Sequence, residues 1–293
     1  MLLNRRGSLV EILCPAKLNL FLEVKGKRAD GYHEIESVMQ TVSVYDTLSI
    51  EPAACGVQIA CSDASVPCDE RNTVHRAVRE VRSASGIDRG VSIRIEKRIP
   101  AGAGMAGGSS DAAGAIAGLN ELWQLNLPKQ KLEEIGAAVG SDVPFFFTAG
   151  TAVCRGRGEL VMPIEAVCPL TFVVAWPGFG ISTKEVYQRL EFDLTVREGS
   201  VSISTLVEAL VRNDVQSVSL AFYNRLEHVA LAMRPELENL RRIMAESGLL
   251  GTTMTGSGSA YFGLCERKEV VALRERLAKF GIGTVFACES VQG

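Results

Sequence analysis

The chain has 293 residues, which is enough for one large domain or two domains of ordinary size. Apolar residues make up 47% of the sequence and charged residues 22%, as in folded proteins with a sizeable core. The formal net charge of −3 argues against a nucleic-acid-binding protein, because such proteins are usually strongly basic.

The sequence also predicts a location and the state of the cysteines. No apolar segment reaches membrane-spanning length, and the first residues lack the apolar core of a secretory signal. The eight cysteines are widely spread without a C-x-x-C pair, and the three histidines are scattered. We therefore predict a cytoplasmic protein with free thiols, without a membrane partner and without a structural zinc site.

The first elements are two strand candidates near the N-terminus. Leu9 to Leu13 form a short candidate that Pro15 interrupts. Lys17 to Val24 follow with a period of two, so every second residue is apolar and points into a core. The alternation places Lys17 and Asn19 together on the opposite, exposed face. That face is either part of a binding site or simply solvated, and the pattern alone leaves both open.

A turn signal follows at Asp30-Gly31, with Tyr32 and His33 directly after it. An aromatic ring beside a ring that can donate and accept hydrogen bonds suits a flat heterocyclic ligand. The alternative is a tyrosine that anchors the turn and a histidine exposed to solvent. Two further strand candidates are Ile35 to Val44 and Thr47 to Glu51.

The most informative stretch is Pro100 to Ala113, which reads PAGAGMAGGSSDAA. A strand candidate, Val91 to Ile99, leads into it, and a helical pattern leads out of it as far as Trp123. Four glycines allow a tight turn and a close approach of the backbone to a ligand. Ser109 and Ser110 stand where the helix begins, so hydroxyls, free N–H groups and the helix dipole converge there. We interpret the stretch as a phosphate-binding loop.

Three other interpretations of this loop are weaker. Gly102, Gly104 and Gly107 match the G-x-G-x-x-G spacing of dinucleotide-binding proteins. The acidic residue expected about twenty positions on would be Glu121, which lies inside the helical pattern. A Walker A loop needs a lysine before Ser109, and none is present. The third alternative interpretation is a serine-capped turn that binds no ligand. A phosphate loop without its own lysine needs positive charge from elsewhere, and the candidates are Lys25, Lys27, Arg28, Lys97, Arg98, Arg155 and Arg157.

Asp142 is a candidate catalytic residue. A helix is predicted over Lys129 to Val139, opened by Pro128 and ended by Gly140. Asp142 follows on the junction with an aromatic run. It is either the N-cap of a turn that begins near Pro144 or a carboxylate held near a reacting centre.

The remaining candidates complete an α+β order of elements. The helix candidates are Asn72 to Val81, the segment after Gly180 with Ser182 or Thr183 as N-cap, several patterns between Ser204 and Glu246, and Arg274 to Phe280. The strand candidates are Thr151 to Arg155, Thr171 to Trp176 and Gly283 to Ala287, and a second glycine/serine turn, GTTMTGSGSAYFGL, runs into a further strand. A change of character around Met162 to Pro169 predicts two domains, 1–163 and 164–293.

Three blocks at characteristic separations, PAKLNL, PAGAGMAGGSSDAA and MTGSGSAYF, resemble the galactokinase, homoserine kinase, mevalonate kinase and phosphomevalonate kinase (GHMP) superfamily. Within it, the segments RADGYHEIES, GSDVPFF and PGFGISTKEVY are similar to the kinases that act on 4-diphosphocytidyl-2-C-methyl-D-erythritol. The likeness covers nearly the whole chain. Met105 departs from the leucine that is usual in the family, and a flexible apolar side chain fits there easily.

The resemblance implies a two-domain α+β fold, with a first domain like the second domain of ribosomal protein S5 and a ferredoxin-like second domain. It implies that ATP and Mg²⁺ are used to phosphorylate the C2 hydroxyl of the cytidylyl substrate in the non-mevalonate isoprenoid pathway. Substrate and ATP would meet in a cleft between the domains. We also expect a monomer or weak homodimer that acts on a small molecule.

The resemblance also implies roles for individual residues. Asp142 would be the base or orienter of the attacking hydroxyl, with Lys17 beside it. The nucleotide would be bound by Asn72, Lys97, Pro100, Gly102, Gly104, Gly107, Gly108, Ser109 and Ser110. The substrate would be bound by Asn19, Tyr32, His33, Thr183, Tyr187, Gly256 and Ser257, with the two tyrosines stacking on cytosine and the histidine reading its edge. The ligand of Mg²⁺ stays unknown.

Two alternative functions remain on this fold. One is another kinase of the superfamily, such as a homoserine or mevalonate kinase, and the Tyr32-His33 pair and the ISTKEVY segment argue against it. The other is a catalytically silent sensor that binds nucleotide or metabolite. The presence of Lys17 and Asp142 argues against a sensor, because binding alone needs neither.

Overall fold

The computed structural model describes residues 1–148, 150–165, 169–191 and 202–291. The chain divides into two compact units, each assembled from separate segments. The first unit contains Met1–Ala16, Val44–Ala101 and Ala106–Ala149. The second unit contains Lys17–Ser43, Gly102–Met105 and Gly150–Gly293. The domain boundary after residue 163 stays a prediction, and its segment includes residues 166–168, which lie outside the described residues.

The first unit is built on five strands in the order β1-β2-β3-β5-β4. They are β1 (Leu2–Arg6), β2 (Leu9–Lys27), β3 (His33–Ala53), β4 (Val57–Cys61) and β5 (Gly90–Glu96). β1 pairs antiparallel with β2, as β5 does with β3, whereas β4 and β5 are parallel. Strands β2 and β3 pass into the second unit, which contains residues 17–27 and 33–43.

The described helices of the first unit are α1 (Thr73–Ser85), α2 (Gly107–Leu122), α3 (Lys129–Val139) and α4 (Phe145–Thr148). Helix α2 packs closely on the strands at two glycines. A Cβ on Gly114 would collide with the sulfur of Cys14, and one on Gly118 would lie 2.6 Å from Cδ1 of Ile50. The helix therefore needs glycine at both positions to approach the strands this closely.

The second unit has two groups of strands. Its further strands are β6 (Thr151–Gly156), β7 (Leu160–Ile164), β8 (Thr171–Trp176), β9 (Tyr223–Asn224), β10 (Gly251–Met254), β11 (Tyr261–Cys265) and β12 (Thr284–Glu289). β6 pairs antiparallel with β3 and β7, and β9 runs parallel to β2. A separate antiparallel sheet has the order β10-β11-β8-β12.

The helices of the second unit are α5 (Thr183–Arg189), α6 (Ile203–Val211), α7 (Val215–Leu220), α8 (Glu227–Met233), α9 (Leu237–Ala245) and α10 (Val270–Ala278). Its core joins Val173 of β8, Val186 of α5, Leu240 of α9 and Tyr261 of β11. None of the described helices has both the length and the apolar character that a membrane crossing needs. Seven cysteines are free thiols, and Cys168 lies outside the described residues.

Several predicted elements are confirmed. Helix α3 and strand β8 have the predicted bounds. Helix α5 begins after Ser182, whose hydroxyl accepts a hydrogen bond from the N–H of Glu185, so Ser182 rather than Thr183 is the N-cap. These elements carry strong local signals, namely a proline and a glycine at the ends of α3 and a short apolar run in β8.

The predicted break at Pro15 is wrong, because β2 continues through it. Pairing between β1 and β2 ends at Leu2 and Leu13. Two residues beyond, Pro15 therefore meets no β1 residue that could accept an N–H. The next residue with the same orientation, Lys17, donates its N–H to the carbonyl of Met105 instead. A proline is tolerated where a strand has no ladder partner on that side.

The expectation of an exposed face on β2 is also wrong. Lys17, Asn19 and Phe21 are only 2%, 2% and 3% exposed. Both faces of this part of the strand are therefore covered. The alternation of apolar and polar side chains along it indicates a difference in polarity and not in exposure. A buried ammonium and a buried amide must find hydrogen-bond partners.

Strand β5 ends at Glu96, three residues before the predicted end. The carboxylate of Asp46 accepts the N–H groups of Arg98 at 2.6 Å and Ile99 at 2.9 Å. These N–H groups are thereby withdrawn from a strand ladder, so the chain turns toward the glycine-rich loop. Asp46 lies inside β3, where two shorter strands were predicted.

Candidate active site

The N-terminus of α2 has the features of an anion site. Its N-cap, Ala106, has a left-handed backbone (φ 56°) and supplies no side-chain cap. The hydroxyl of Ser110 is buried and has no hydrogen-bond partner among the described residues. Uncapped N–H groups in the first helical turn and the helix dipole both favour a negative ligand. Ser109 is half-buried in the same turn.

Helix α1 begins beside the start of α2. The hydroxyl of Thr73 donates to the carbonyl of Gly108 at 2.7 Å. Asn72 is the N-cap of α1: its Oδ1 accepts the N–H of Val74 at 2.8 Å, and its Nδ2 donates to the carbonyl of Pro67 at 2.6 Å. Two helix N-termini are thus adjacent, which concentrates positive potential at this edge of the first unit.

Lys97 lies under this edge in a buried cluster. Its side chain is 7% exposed, and its ammonium is paired with Asp46 and, at 2.8 Å, with Asp111 of α2. A Cβ on Gly107 would lie 3.1 Å from that ammonium, so the start of the helix can lie this close to Lys97 because residue 107 has no side chain. Lys97 therefore links β3, the end of β5 and α2.

Two carboxylates share this one ammonium, and the pKa values of Lys97 and Asp111 are shifted. Burial would lower the pKa of Lys97, but Asp111 and Asp46 outweigh burial and raise it. Burial raises the pKa of Asp111 to about 7, Lys97 opposes that shift and Asp46 adds to it. One oxygen of Asp111 has no hydrogen-bond partner among the described residues. Near neutral pH, Asp111 is therefore divided between its protonated and ionised forms.

We expect the effect of Asp111→Asn on the free energy of unfolding to become more favourable as the pH rises. Asp111 keeps its proton up to about pH 7 in the folded protein, against a reference pKa of 3.8. The folded state then binds more protons between these values, so stability falls as the pH rises through this window. Asparagine does not titrate. Relative to the original protein, the free energy of unfolding of the variant should rise by at least about 1 kcal/mol from pH 5 to pH 8.

Urea unfolding at pH 5 and pH 8 measures this difference. The matched control is Asp88→Asn, because the side chain of Asp88 is 89% exposed. We expect that control to show no pH-dependent gain. An equal response of both variants would mean that Asp111 does not carry a raised pKa.

In the second unit, the ammonium of Lys17 donates hydrogen bonds to Gly104 and Asn19. The carbonyl of Gly104 accepts at 2.6 Å, and Asn19 accepts through its Oδ1. Asn19 is fixed in turn, because its Nδ2 donates to Ser37 at 2.9 Å and its N–H donates to the hydroxyl of Thr255 at 3.1 Å. The direction of the Lys17 side chain is thus set by a connected network rather than by a single contact.

Gly104 requires glycine for this arrangement. Its φ is +79°, and a Cβ there would collide with the carbonyl of Thr255. Gly102 also has a positive φ of +69°, and its Cβ would lie 3.0 Å from Cα of Gly180. The hydroxyl of Thr255 donates to the carbonyl of Gly104 at 3.2 Å. Pro100 lies half-buried between the end of β5 and these glycines.

The late glycine/serine turn is braced by Asn224 of β9. Nδ2 of Asn224 donates to the carbonyls of Met254 at 2.7 Å and Gly256 at 2.8 Å. A Cβ on Gly256 would lie 3.2 Å from the ammonium of Lys17. Ser257 shares a 2.8 Å hydrogen bond with Thr183. The structure therefore brings Lys17, Asn19, Gly256, Ser257 and Thr183 together.

The three aromatic candidates of the second unit are arranged differently from one another. The rings of His33 and Tyr187 stack with centroids 4.9 Å apart and planes 29° apart. Burial and then the charge of Lys27 lower the pKa of His33, so its imidazole is neutral at pH 7 and offers one donor and one acceptor. Tyr32 is 52% exposed, and the guanidinium of Arg157 lies over its ring.

Asp142 lies in the first unit, in a turn between α3 and α4. Its neighbours Val143 and Pro144 are buried, and Phe145 follows in the core. The N–H of Val143 donates to the carbonyl of Gly140 at 3.2 Å. The buried residues on its C-terminal side thus fix the turn, and Asp142 itself is half-buried.

Most of the predicted surface cations are neutralised by carboxylates. Lys25 and Arg155 both pair with Glu36, at 3.2 Å and 2.9 Å. Arg28 pairs with Asp30 and Glu34, Arg98 with Glu96, and Arg157 with Glu159. Within the glycine-rich loop, the ammonium of Lys97 lies beside Gly107, and that of Lys17 donates to the carbonyl of Gly104.

Among the described residues there is no group of three or more His, Cys, Asp or Glu side chains that could hold a metal ion. Mg²⁺ often keeps several waters and takes only one or two protein ligands. The hydroxyl of Ser110, which is buried and finds no partner in the described part of the chain, fits such a limited contribution.

Sequence reasoning missed three residues: Asp46 and Asp111 in the first unit, and Asn224 in the second. Asp111 stands inside the glycine-rich motif, but its neighbours drew attention to phosphate rather than to Lys97. Asp46 interrupts an apolar alternation in β3, which is a signal of a buried charge that needs a partner. Asn224 stands between Tyr223 and Arg225, and nothing in the local pattern distinguishes it.

Comparison with known proteins gives matches over both units. Residues 72–150 match the GHMP kinases N terminal domain, and residues 206–283 match the GHMP kinases C terminal domain. The 4-diphosphocytidyl-2-C-methyl-D-erythritol kinase of Exiguobacterium sibiricum is 41% identical over 258 residues, which cover 88% of this chain and 89% of the relative. The kinase of the same name from Pelotomaculum thermopropionicum is 40% identical over 271 residues, which cover 91% and 94%.

Solved structures agree with these matches. A crystal structure of 4-(cytidine 5′-diphospho)-2C-methyl-D-erythritol kinase has a TM-score of 0.81 and 35% identity, and it covers 97% of this chain and 100% of its own. Homoserine kinase from Cytophaga hutchinsonii has a TM-score of 0.78 at 18% identity, covering 100% and 97%, which shows a shared fold. The predicted α+β GHMP kinase fold is therefore confirmed. The chain belongs to the 4-diphosphocytidyl-2-C-methyl-D-erythritol kinase family of the GHMP kinases.

Proposed function

We propose that this chain catalyses ATP-dependent phosphorylation of the C2 hydroxyl of 4-diphosphocytidyl-2-C-methyl-D-erythritol, a step of the non-mevalonate isoprenoid pathway. Family membership supports the reaction. The observation that carries it within the chain is the ammonium of Lys17, buried and fixed on the carbonyl of Gly104 in the glycine-rich loop. Cytoplasmic location and a monomeric or weakly dimeric state stay predictions.

On the nucleotide side, we assign the phosphates of ATP to the start of α2. The N–H groups of Gly107 and Gly108 and the serine hydroxyls of this turn would donate to phosphate oxygens. Mg²⁺, when bound with ATP, would neutralise phosphate charge. Lys97 would act here as support for the helix start, because its ammonium is already shared by Asp46 and Asp111. Asn72, as N-cap of α1, would border the nucleotide.

On the acceptor side, Asp142 would accept the proton of the attacking hydroxyl or orient that hydroxyl. Lys17 would stabilise the charge that develops on the transferred group, because a donor fixed in advance costs no reorganisation during the reaction. Asn19, Thr183, Gly256 and Ser257 would line the acceptor. Tyr32 and Tyr187 would stack on cytosine, and His33 would read the edge of the base.

A coupled ADP-release assay tests this function. The assay contains ATP, Mg²⁺ and 4-diphosphocytidyl-2-C-methyl-D-erythritol, with homoserine and mevalonate as parallel acceptors. We expect turnover with the cytidylyl substrate alone. Turnover with homoserine or mevalonate instead would keep the phosphate loop but contradict the cytosine site. Binding of ATP without turnover of any acceptor would favour a sensor.

Replacing His33 with alanine is expected to relax base selection more than it slows turnover. A neutral imidazole presents one donor and one acceptor to the edge of the base, and a mismatched base leaves them unpaired. We expect the ratio of kcat/KM for the cytidine over the uridine substrate to fall about tenfold, the effect of about 1.4 kcal/mol. The change of kcat should stay below about threefold.

Steady-state kinetics with both diphosphate substrates measures this ratio. The matched control is His228→Ala, because His228 is exposed on α8. Unchanged discrimination in His33→Ala would remove His33 from base recognition.

A further inference from the structure

The main chain of Tyr32 is fixed by its own turn. Its N–H donates to Oδ1 of Asp30 at 3.1 Å, and its carbonyl accepts the N–H of Arg28 at 2.8 Å. Gly31 has a φ of +85°, which glycine adopts readily and which reverses the chain just before Tyr32. Only the torsions of the Tyr32 side chain are then left to be set by contacts with the ring.

Arg157 supplies such a contact from the turn between β6 and β7. The carbon at the centre of its guanidinium lies 4.7 Å from the centroid of the Tyr32 ring, over one face. Arg157 is itself held by the carboxylate of Glu159. This carboxylate accepts the backbone N–H of Arg157 at 2.6 Å and lies 3.5 Å from Nε of its guanidinium. The carboxylate of Glu34, two residues after Tyr32, accepts the N–H of Gly156 at 3.2 Å, so a bond between a side chain and the backbone also joins the two turns.

The Tyr32 ring nevertheless stays open on one side. The residue is 52% exposed although the guanidinium covers one face, whereas the Arg157 side chain is 25% exposed. An aromatic ring with a cation on one face and solvent on the other is ready to stack on a flat ligand. The attraction between a guanidinium and the ring face holds the ring in that orientation.

We propose that Arg157 is a positioning residue for the pyrimidine base of a cytidine diphosphate substrate and acts through Tyr32. The proposal rests on the proposed function and adds a residue to it. A ring fixed before binding loses less freedom when the base stacks on it, so affinity rises without a direct contact between Arg157 and the substrate. The effect belongs to substrate binding and leaves the nucleotide side and the chemical step unchanged.

The substitution Arg157→Met tests this role, because methionine keeps an unbranched side chain and removes the cation. We expect KM for the cytidylyl substrate to rise about two- to fivefold, the usual scale of such a contact at an exposed site. KM for ATP and kcat should stay unchanged, which also shows that the variant is folded. The matched control is Arg155→Met, since Arg155 lies two residues earlier, in β6, and pairs with Glu36 instead.

A double-mutant cycle decides whether Arg157 acts through Tyr32. In a Tyr32→Leu background, Arg157→Met should have no further effect on KM for the cytidylyl substrate. An equal additional rise in that background would mean that Arg157 contacts the substrate directly, which overturns the proposal. An equal rise of KM in Arg155→Met would also overturn it, because the effect would then be one of net charge.

The failure of this role is distinguishable from failure of the proposed function. If the original protein phosphorylates the cytidylyl substrate and Arg157→Met has the same KM, only the role of Arg157 is overturned. If the original protein leaves that substrate unphosphorylated, the proposed function fails and the role of Arg157 fails with it.

Discussion

Replacing Lys17 with methionine is expected to lower kcat by about 10²- to 10³-fold, the usual loss when one preorganised charge-stabilising donor is removed. The Lys17 ammonium is buried and donates to Gly104 and Asn19, so its position is fixed before any ligand binds. Methionine has a similar length and volume, so the buried space stays filled. Steady-state ADP release with the cytidylyl substrate measures the loss.

The control for Lys17 is Lys129→Met, because the side chain of Lys129 is 59% exposed at the start of α3. We expect that control to keep the original kcat. Urea unfolding of both variants separates loss of catalysis from loss of the fold. If Lys17→Met keeps near-normal turnover, Lys17 does not stabilise the transferred group.

Replacing Asp142 with asparagine is expected to lower kcat by about 10²- to 10⁴-fold, the range for a positioned general base. Asparagine keeps the shape of the side chain and removes the group that accepts the proton. The buried neighbours Val143 and Pro144 hold the turn, so the exchange should leave the fold intact. The same ADP-release assay measures kcat, and nucleotide-binding titration should give an unchanged Kd for ATP.

Glu134→Gln is the matched control for Asp142, since Glu134 lies on the neighbouring helix α3 and its side chain is 53% exposed. It should behave like the original protein. If kcat of Asp142→Asn falls by less than about threefold, then Asp142 has a structural role in its turn and is not the base for the attacking hydroxyl. An asparagine that can still orient the hydroxyl would give a loss near the lower end of the expected range.

Local patterns predicted much of the fold because many elements carry their own signals. Proline and glycine mark the two ends of α3, and a run of apolar residues marks β8. The loop at Gly104 was recognisable for a similar reason, since a positive φ and close packing against Thr255 both require glycine. The order of these elements, together with the resemblance, then gave the α+β fold.

The remaining features depend on long-range partners that a local pattern cannot report. Lys17 and Asn19 were expected on an exposed face, but they are buried in a network with Thr255, which lies more than 230 residues further along the chain. The same holds for Lys97, whose partners come from β3 and α2. A sequence shows which residues are polar, whereas the fold decides whether they meet each other or solvent.

The interleaving of the two units has a consequence for any attempt to divide the protein. A fragment that ends at residue 163 would contain Leu22, Val24 and Ile35 without Val173, Leu240 and Tyr261, which share their core. Those apolar side chains would face water, and such patches promote aggregation. Truncation is therefore a poor route to either half, and point substitutions in the full-length chain are the way to separate nucleotide binding from acceptor recognition.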